Sequence, residues 1–332
     1  MYTLAIETSC DETSIAIVDD NRNVLSNIIA TQIATHKEYG GVVPEIASRM
    51  HIEAINMTLD AALSEAKLTL KDIDFISVTQ GPGLVGALLV GVSFAKALAV
   101  SNDIPIVAVN HMRGHIASNY ITHKNLEPPY IALVLSGGHS YIMDVIDYNH
   151  LVKLGETRDD AAGEAYDKVA RVLGIGYPGG AELEKLAKKG RPTIDFPRVY
   201  LEKDSYDFSF SGLKTAVINY INTASMKNEK IIKEDVACSF QDAVIDVIVE
   251  KSIRAARNRN RKIIAISGGV SNNRTIFEAL KKAGEAYDIE ILYPLAKYTS
   301  DNAAMIGEEG MIKFKHEGPS DIRFIADPNM GL

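Results

Sequence analysis

The chain reads as an α/β protein of two duplicated lobes, and three observations predict this. Short β-branched and apolar runs alternate with longer segments of helical periodicity along its length. Two strand patterns around a polar turn at residues 3–18 reappear about 128 positions later, around Ser136-Gly137-Gly138-His139-Ser140. Between the copies, Pro128-Pro129 marks a change of course. The expected lobes are residues 1–129 and 130–332, hairpin tips facing across a cleft, with the last helix, about 300–316, packing back at that cleft.

In the first lobe, residues 3–7 and 14–18 are strands joined by Glu7-Thr8-Ser9-Cys10-Asp11-Glu12-Thr13, a tip dense in hydroxyls and carboxylates. A third strand, Val24–Ala30, follows the Asn21-Arg22-Asn23 turn. Tyr39-Gly40-Gly41 leads into an amphipathic helix over Pro44–Ala66, with proline placed in its first turn. After a strand at Phe75–Thr79, Gly81-Pro82-Gly83 turns into a helix, Leu84–Val100, whose small residues permit close packing on a sheet. The run Ile104–Val109 is a buried strand, and Asn110 at its end can cap a helix. The second lobe repeats the hairpin as Ile131–Leu135 and Tyr141–Ile146. It continues with strands at Lys262–Ile266 and Glu290–Leu292 and with helices at Asp235–Arg257, Asn273–Ala283 and Asn302–Phe314.

Composition narrows the functional classes. With 332 residues and 46% hydrophobic content the chain can bury a large core. No apolar run reaches the roughly 18–20 residues that span a bilayer, since glycines, Ser93 and Lys96 interrupt Gly83–Val100. The amino terminus carries no basic n-region, and a cytoplasmic location without a membrane is expected. Cys10 and Cys238 are too few for a disulfide framework or a cysteine metal site. A formal charge of −8 argues against coating nucleic acid by bulk electrostatics, so any RNA contact must be local.

Several stretches carry chemistry. His111 and His115, four apart on the helix that Asn110 caps, share one face and can bind a divalent metal if a carboxylate joins them. Asp301, in a loop ahead of the last helix, is the candidate third ligand, although capping by Ser300 or Asp301 would also explain it. Met112 stands where a zincin helix has its glutamate, which disfavours proteolysis. Ser136-Gly137-Gly138 and Ser267-Gly268-Gly269 each follow a strand and can cradle phosphate, or be ordinary tight turns. Asp160, Glu164 and Asp167 fall at helical spacing, suited to ribose hydroxyls or a hydrated cation. Basic runs at Arg254–Lys262 and Lys185–Arg191 read as solvated helix ends before they read as an RNA footprint.

These pieces together resemble one family. Glu7-Thr8-Ser9-Cys10-Asp11-Glu12-Thr13, Gly81-Pro82-Gly83, His111-Met112-Arg113-Gly114-His115, Ser136-Gly137-Gly138-His139, Gly163-Glu164-Ala165-Tyr166-Asp167-Lys168, Tyr177-Pro178-Gly179-Gly180, Phe208-Ser209-Phe210-Ser211-Gly212-Leu213-Lys214, Ser267-Gly268-Gly269-Val270-Ser271 and Ser300-Asp301-Asn302 occur in the order seen in the bacterial TsaD family. The resemblance covers nearly the whole chain. It implies the acetate-kinase/Hsp70/actin-like (ASKHA) fold and transfer of a threonylcarbamoyl group from threonylcarbamoyl-AMP to N6 of adenosine 37 in tRNA.

By the same resemblance one divalent metal, iron or alternatively zinc, falls to His111, His115 and Asp301. Val134, Leu135, Ser136, Gly137, Gly138, Asp167, Gly180, Glu184 and Asn273 would line the intermediate's site. Asp11, Glu12 and His139 are the polar candidates for a base or an orienting group. Implied partners are the tRNA anticodon loop, a dimerising TsaB-type paralogue and a TsaE-type ATPase, with the intermediate made by a TsaC-type synthase. The long helix Pro44–Ala66 is the one hint of a partner surface, through Ile46, Met50, Ile55, Leu59 and Leu63, but burial of these residues against their own lobe is the preferred reading. A metallopeptidase and a small-molecule kinase of the same fold are the competing enzymes.

Overall fold

The computed structural model describes residues 1–332, which form two compact units: residues 1–126 with 294–332, and residues 127–293. The first unit opens with β1 (Tyr2–Glu7), β2 (Glu12–Asp19) and β3 (Val24–Thr31), an antiparallel meander. A short α1 (Ile33–Tyr39) and the long α2 (Pro44–Ala66) follow. Next come β4 (Phe75–Gly81), α3 (Val85–Asn102), β5 (Ile106–Asn110) and α4 (His111–Thr122). β4 pairs parallel with β1 and β5 with β4, giving the order β3-β2-β1-β4-β5.

The second unit contains β6 (Tyr130–Leu135), β7 (Ser140–Val145), β8 (Leu151–Glu156), α5 (Ala162–Val172), α6 (Gly180–Ala187), α7 (Ser211–Met226), α8 (Lys233–Asn258), β9 (Ile263–Ser267), α9 (Arg274–Glu285) and β10 (Glu290–Leu292). Its sheet, β8-β7-β6-β9-β10, repeats the first strand for strand, with the same parallel and antiparallel pairings. β8 is the strand the sequence conceals. It is an edge, Lys153 is exposed on it, and its burial never alternates cleanly.

Both central strands are buried along nearly their whole length, which is why they read as unbroken apolar runs. The first core gathers Leu4, Ile6, Ile15, Ile17, Ile76 and Ile106 under α2 and α3; the second gathers Leu133, Phe240, Val244, Ile264 and Ile266. Each fully buried side chain of this size contributes roughly 1.5–3 kcal/mol. α3 is the one helix long and apolar enough, by length and composition, to cross a bilayer, and about a third of it is buried. The glycines that interrupt its apolar run lie inside the helix, and an added Cβ at Gly91 would stand 2.3 Å from Thr8 Oγ1.

The end of the chain departs from the expected division. Residues 294–332 belong to the first unit, not to a lobe running from 130 to 332. The cause is packing: α10 (Ala303–Glu317) lies against α4, β1, β2, β4 and β5, with Phe314 stacked on Phe75 at 4.3 Å between ring centroids. Gly310 allows the approach, since a Cβ there would fall 1.9 Å from Ser77 Oγ.

Candidate functional site

β5 delivers Asn110 to the N-cap of α4, where its side-chain oxygen accepts from the Met112 and Arg113 amides at 2.9 and 3.2 Å. The four-residue step sets His115 over His111, ring centroids 4.7 Å apart and nearly perpendicular. Asp301 reaches both: its Oδ1 is 3.4 Å from His111 Nε2 and 3.2 Å from His115 Nε2. One ligand atom from each residue lies within 4.8 Å of the others, a group that could hold a metal ion. Asn302, not Ser300 or Asp301, caps α10 by accepting from the Met305 amide, so the Asp301 carboxylate is free of that task.

The surroundings fit a dication. Glu7 is fully buried at the end of β1, with Oε2 2.9 Å from His111 Nδ1, and it also accepts from the Thr79 hydroxyl and the Ser9 amide. An Nδ1–H donated to Glu7 turns His111 Nε2 toward Asp301. His115 is fully buried, and neither of its ring nitrogens makes a hydrogen bond by geometry, although Asp301 Oδ1 stands close to Nε2. With both imidazoles neutral, Glu7 and Asp301 leave two negative charges that a divalent cation would balance.

Burial opposes a charge on His111, but the Glu7 and Asp301 carboxylates push its pKa up to about 10. Burial, with His111 adding to it, lowers that of His115. Against burial, His111 holds Glu7 and Asp301 below the usual carboxylate range.

The β1–β2 tip adds two more acids. Burial lifts Glu12 to about 7, although the Thr31 hydroxyl donates to it at 2.9 Å, and burial also raises Asp11. Burial raises the Cys10 thiol, which keeps it protonated.

In the second unit a cavity of about 270 Å³ is bounded by the turn after β6 (Gly137), by α5 (Gly163, Tyr166, Asp167), by α6 (Gly180, Glu184) and by the turn after β9 (Gly269, Asn273). Gly268 has φ +87°, and a Cβ there would fall 2.4 Å from the Leu135 carbonyl oxygen, so only glycine lets the two turns approach. Asp167 accepts from the Gly179 amide at 2.8 Å, while burial raises its carboxyl. Glu184 accepts from Thr275 at 3.3 Å and pairs with Lys188 at 2.8 Å. Bare backbone beside two carboxylates suits a ligand with both an anionic group and hydroxyls.

Of the residues expected around an intermediate, Gly137, Asp167, Gly180, Glu184 and Asn273 line this cavity. Val134 and Leu135 do not; both are fully buried in β6. Ser136 and Gly138 stand in the adjoining turn, Ser136 Oγ accepting from the His139 amide. Asn273 acts first as the N-cap of α9. His139 stacks on Tyr141 in the second unit, whereas Asp11 and Glu12 belong to the first.

The acidic set of α5 also separates. Asp160 precedes the helix and pairs with Lys168 and Lys214, and Glu164 pairs with Lys168, leaving Asp167 at the cavity. The run Arg254–Lys262 is largely engaged within the unit: Arg261 pairs with the buried Asp144 at 2.7 Å, Arg257 covers the Tyr287 ring and Lys262 pairs with Asp288. Sequence reasoning missed Glu7 and Tyr166 as site residues. A charge closing an apolar strand is the signal that could have found Glu7.

Comparison with known proteins extends the picture. Among solved structures the chain is similar to T. kodakarensis HypF (TM-score 0.66, 16% identity, 95% of this chain and 48% of that one). It is also similar to full-length HypF in a phosphate- and nucleotide-bound form (0.65, 14%, 96% and 56%) and to a Thermus thermophilus ROK hexokinase (0.51, 13%, 95% and 99%). These show the ASKHA fold. The tRNA N6-adenosine threonylcarbamoyltransferase of Clostridioides difficile (strain 630) is 52% identical over 333 residues, covering 100% of this chain and 98% of the relative. That of Clostridium beijerinckii is 52% identical over 330 residues, covering 99% and 97%. Residues 23–308 match the family TsaD: tRNA N6-adenosine threonylcarbamoyltransferase, and the chain belongs to that family.

Proposed function

We propose that the chain transfers the threonylcarbamoyl group of threonylcarbamoyl-AMP to N6 of adenosine 37 in tRNAs reading codons that begin with A, with release of AMP. The observation that carries this reading is the second unit's cavity, where glycine backbone and two carboxylates meet. The adenylate is assigned there, its phosphate to the Ser136–Gly138 and Gly268–Gly269 turns and its hydroxyls to Asp167 and Glu184. Val134 and Leu135 act through the strand end they build, Gly180 through its amide, and Asn273 by fixing the start of α9.

The mixed anhydride is already activated, so positioning dominates and no covalent intermediate with the enzyme is needed. A divalent metal, iron or zinc, held by His111, His115 and Asp301, would supply Lewis acidity toward a carbonyl or phosphate oxygen. Glu12, with its carboxyl lifted to about 7, is assigned to take the proton the amine gives up, and Asp11 to orient it. His139, stacked on Tyr141, is left an orienting role.

The target base is offered by the anticodon loop, where an unpaired base splays out at low cost. Ile52 and Leu89 stay exposed around a groove of about 510 Å³ on α2 and α3, and this face suits a TsaB-type paralogue. A TsaE-type ATPase completes the assembly, a TsaC-type synthase supplies the intermediate, and the setting is cytoplasmic. Nothing favours a peptidase, because Met112 is buried and no carboxylate stands between the histidines.

The test is reconstitution with those partners, threonylcarbamoyl-AMP and substrate tRNA, followed by nucleoside mass spectrometry. Threonylcarbamoyladenosine should form only in the complete mixture. Its absence, with cleavage of a glycoprotein by the same sample, would overturn the reading.

A further inference from the structure

The Gly81-Pro82-Gly83 turn and the chain after α10 have no part in the chemistry assigned so far, yet they touch each other and the histidine helix. β5 is an edge strand, and Ser320 closes part of that edge: its amide donates to the Ile106 carbonyl and its hydroxyl accepts from the Ala108 amide, at 2.8 and 3.0 Å. The segment then runs over Lys96, whose ammonium lies 4.4 Å from the Phe324 ring centroid, and Phe324 joins the first core. Gln80 grips it from both sides, donating to the Ile325 carbonyl and accepting from the Asp327 amide, each at 2.9 Å.

We propose that residues 319–331 form a strap that positions the histidine helix for metal binding, making Asn110 and Gly81 positioning residues. Two routes connect the strap to His111. Directly, Asn110 Nδ2 donates to the Gly331 carbonyl at 3.0 Å while its Oδ1 caps α4, so one side chain joins the strap to the helix start. Indirectly, the Gly83 amide donates to the Pro328 carbonyl at 3.2 Å, and the neighbouring Leu84 amide donates to the Ser9 carbonyl at 2.8 Å. The Ser9 hydroxyl in turn lies 3.2 Å from His111 Nδ1. The turn is pressed from both sides. A Cβ at Gly81 would fall 1.8 Å from the Asp327 carbonyl oxygen, and one at Gly83 would fall 2.6 Å from that of Ser9.

The proposal rests on the assignment of His111, His115 and Asp301 to a metal, and the test separates the two. Co²⁺ affinity is measured by competition with a chromophoric chelator, and thermal unfolding is followed alongside. The proteins are the full chain, His111→Ala, Gly81→Ala, a chain ending at Phe324, that chain carrying Gly81→Ala, and Asn110→Ser. Failure of the full chain to bind Co²⁺, or binding that survives His111→Ala, removes the metal assignment and the strap with it.

If the strap positions the helix, Gly81→Ala and the truncation each weaken Co²⁺ binding by about tenfold, the scale of outer-shell losses. Combined, they should weaken it no further than truncation alone, because the clash partners of the new methyl group are gone. Asn110→Ser keeps a capping oxygen but loses the donor to Gly331, and should weaken binding several-fold with the melting temperature little changed. It decides the matter if the truncated chain does not fold. Losses that multiply, or a lowered melting temperature with unchanged Co²⁺ affinity, would overturn the proposal.

Discussion

The two units have the same five-stranded sheet and put it to different use. In the first, the turn joining the two leading strands carries buried or half-buried acids, and the strand-end residue of β5 starts a helix bearing two imidazoles. In the second, the matching turn is Ser136-Gly137-Gly138-His139, and β10 leads into Tyr293 and Pro294 with no histidine. One copy concentrates side-chain donors and charge; the other clears side chains away and offers backbone and space. The turn after the fourth strand shows the same divergence. Gly81-Pro82-Gly83 is packed tight under the chain's end, whereas Gly269 borders the cavity and an added Cβ there meets nothing within 4 Å. A duplicated scaffold thus supplies positions, and the strand-end residues decide the chemistry.

The division of labour is testable by separating its halves. Asp301→Ala or His115→Ala should lower threonylcarbamoyl transfer at least about 100-fold and remove the bound metal, measured by elemental analysis. AMP binding, measured by calorimetry, should stay within about twofold because the second unit is untouched. The reciprocal variant, Glu184→Gln, should weaken AMP about tenfold or more, the scale of a lost hydrogen bond to a charged group, with metal content unchanged.

The smallest effect concerns pH. In the first unit burial lifts both Glu12 and Glu308 to about 7, Arg22 only partly offsetting it for Glu308. A carboxyl raised in the folded state stabilises fully below its unfolded value of 4.5, and that contribution is lost as pH climbs to about 7. Glu308→Gln should therefore match the parent near pH 4.5 and gain a few degrees in relative melting temperature by pH 8. A constant difference across that range would show that Glu308 does not titrate there.

Much of the fold is legible because its strands are buried runs and its sheets are copies. The Pro44–Ala66 helix has the bounds the sequence predicts, and the hairpin echo marks the duplication. The imidazole pair follows from a four-residue spacing that any helix enforces. Contacts between distant residues leave little local trace, and Asp301 is legible only as an unassigned carboxylate within a family motif. Glu7 meets His111 across 104 positions, and no local pattern announces that contact. The sequence suggests that the last helix packs back, but not that residues 294–332 join the first unit, since α10 is recruited by the shape of a sheet laid down at the other end of the chain. Val134 and Leu135 show the opposite limit: a motif can lead to a turn that borders a cavity and still include residues whose side chains serve the core.

The position of α10 has a consequence for biosynthesis. Residues 127–293 are contiguous, so that half can fold as soon as it leaves the ribosome. The amino-terminal half, although translated first, must wait with an open sheet face until its last helix emerges. Asp301 arrives just ahead of that helix, so the three residues that could hold an ion come together only after the whole of residues 127–293 has been made.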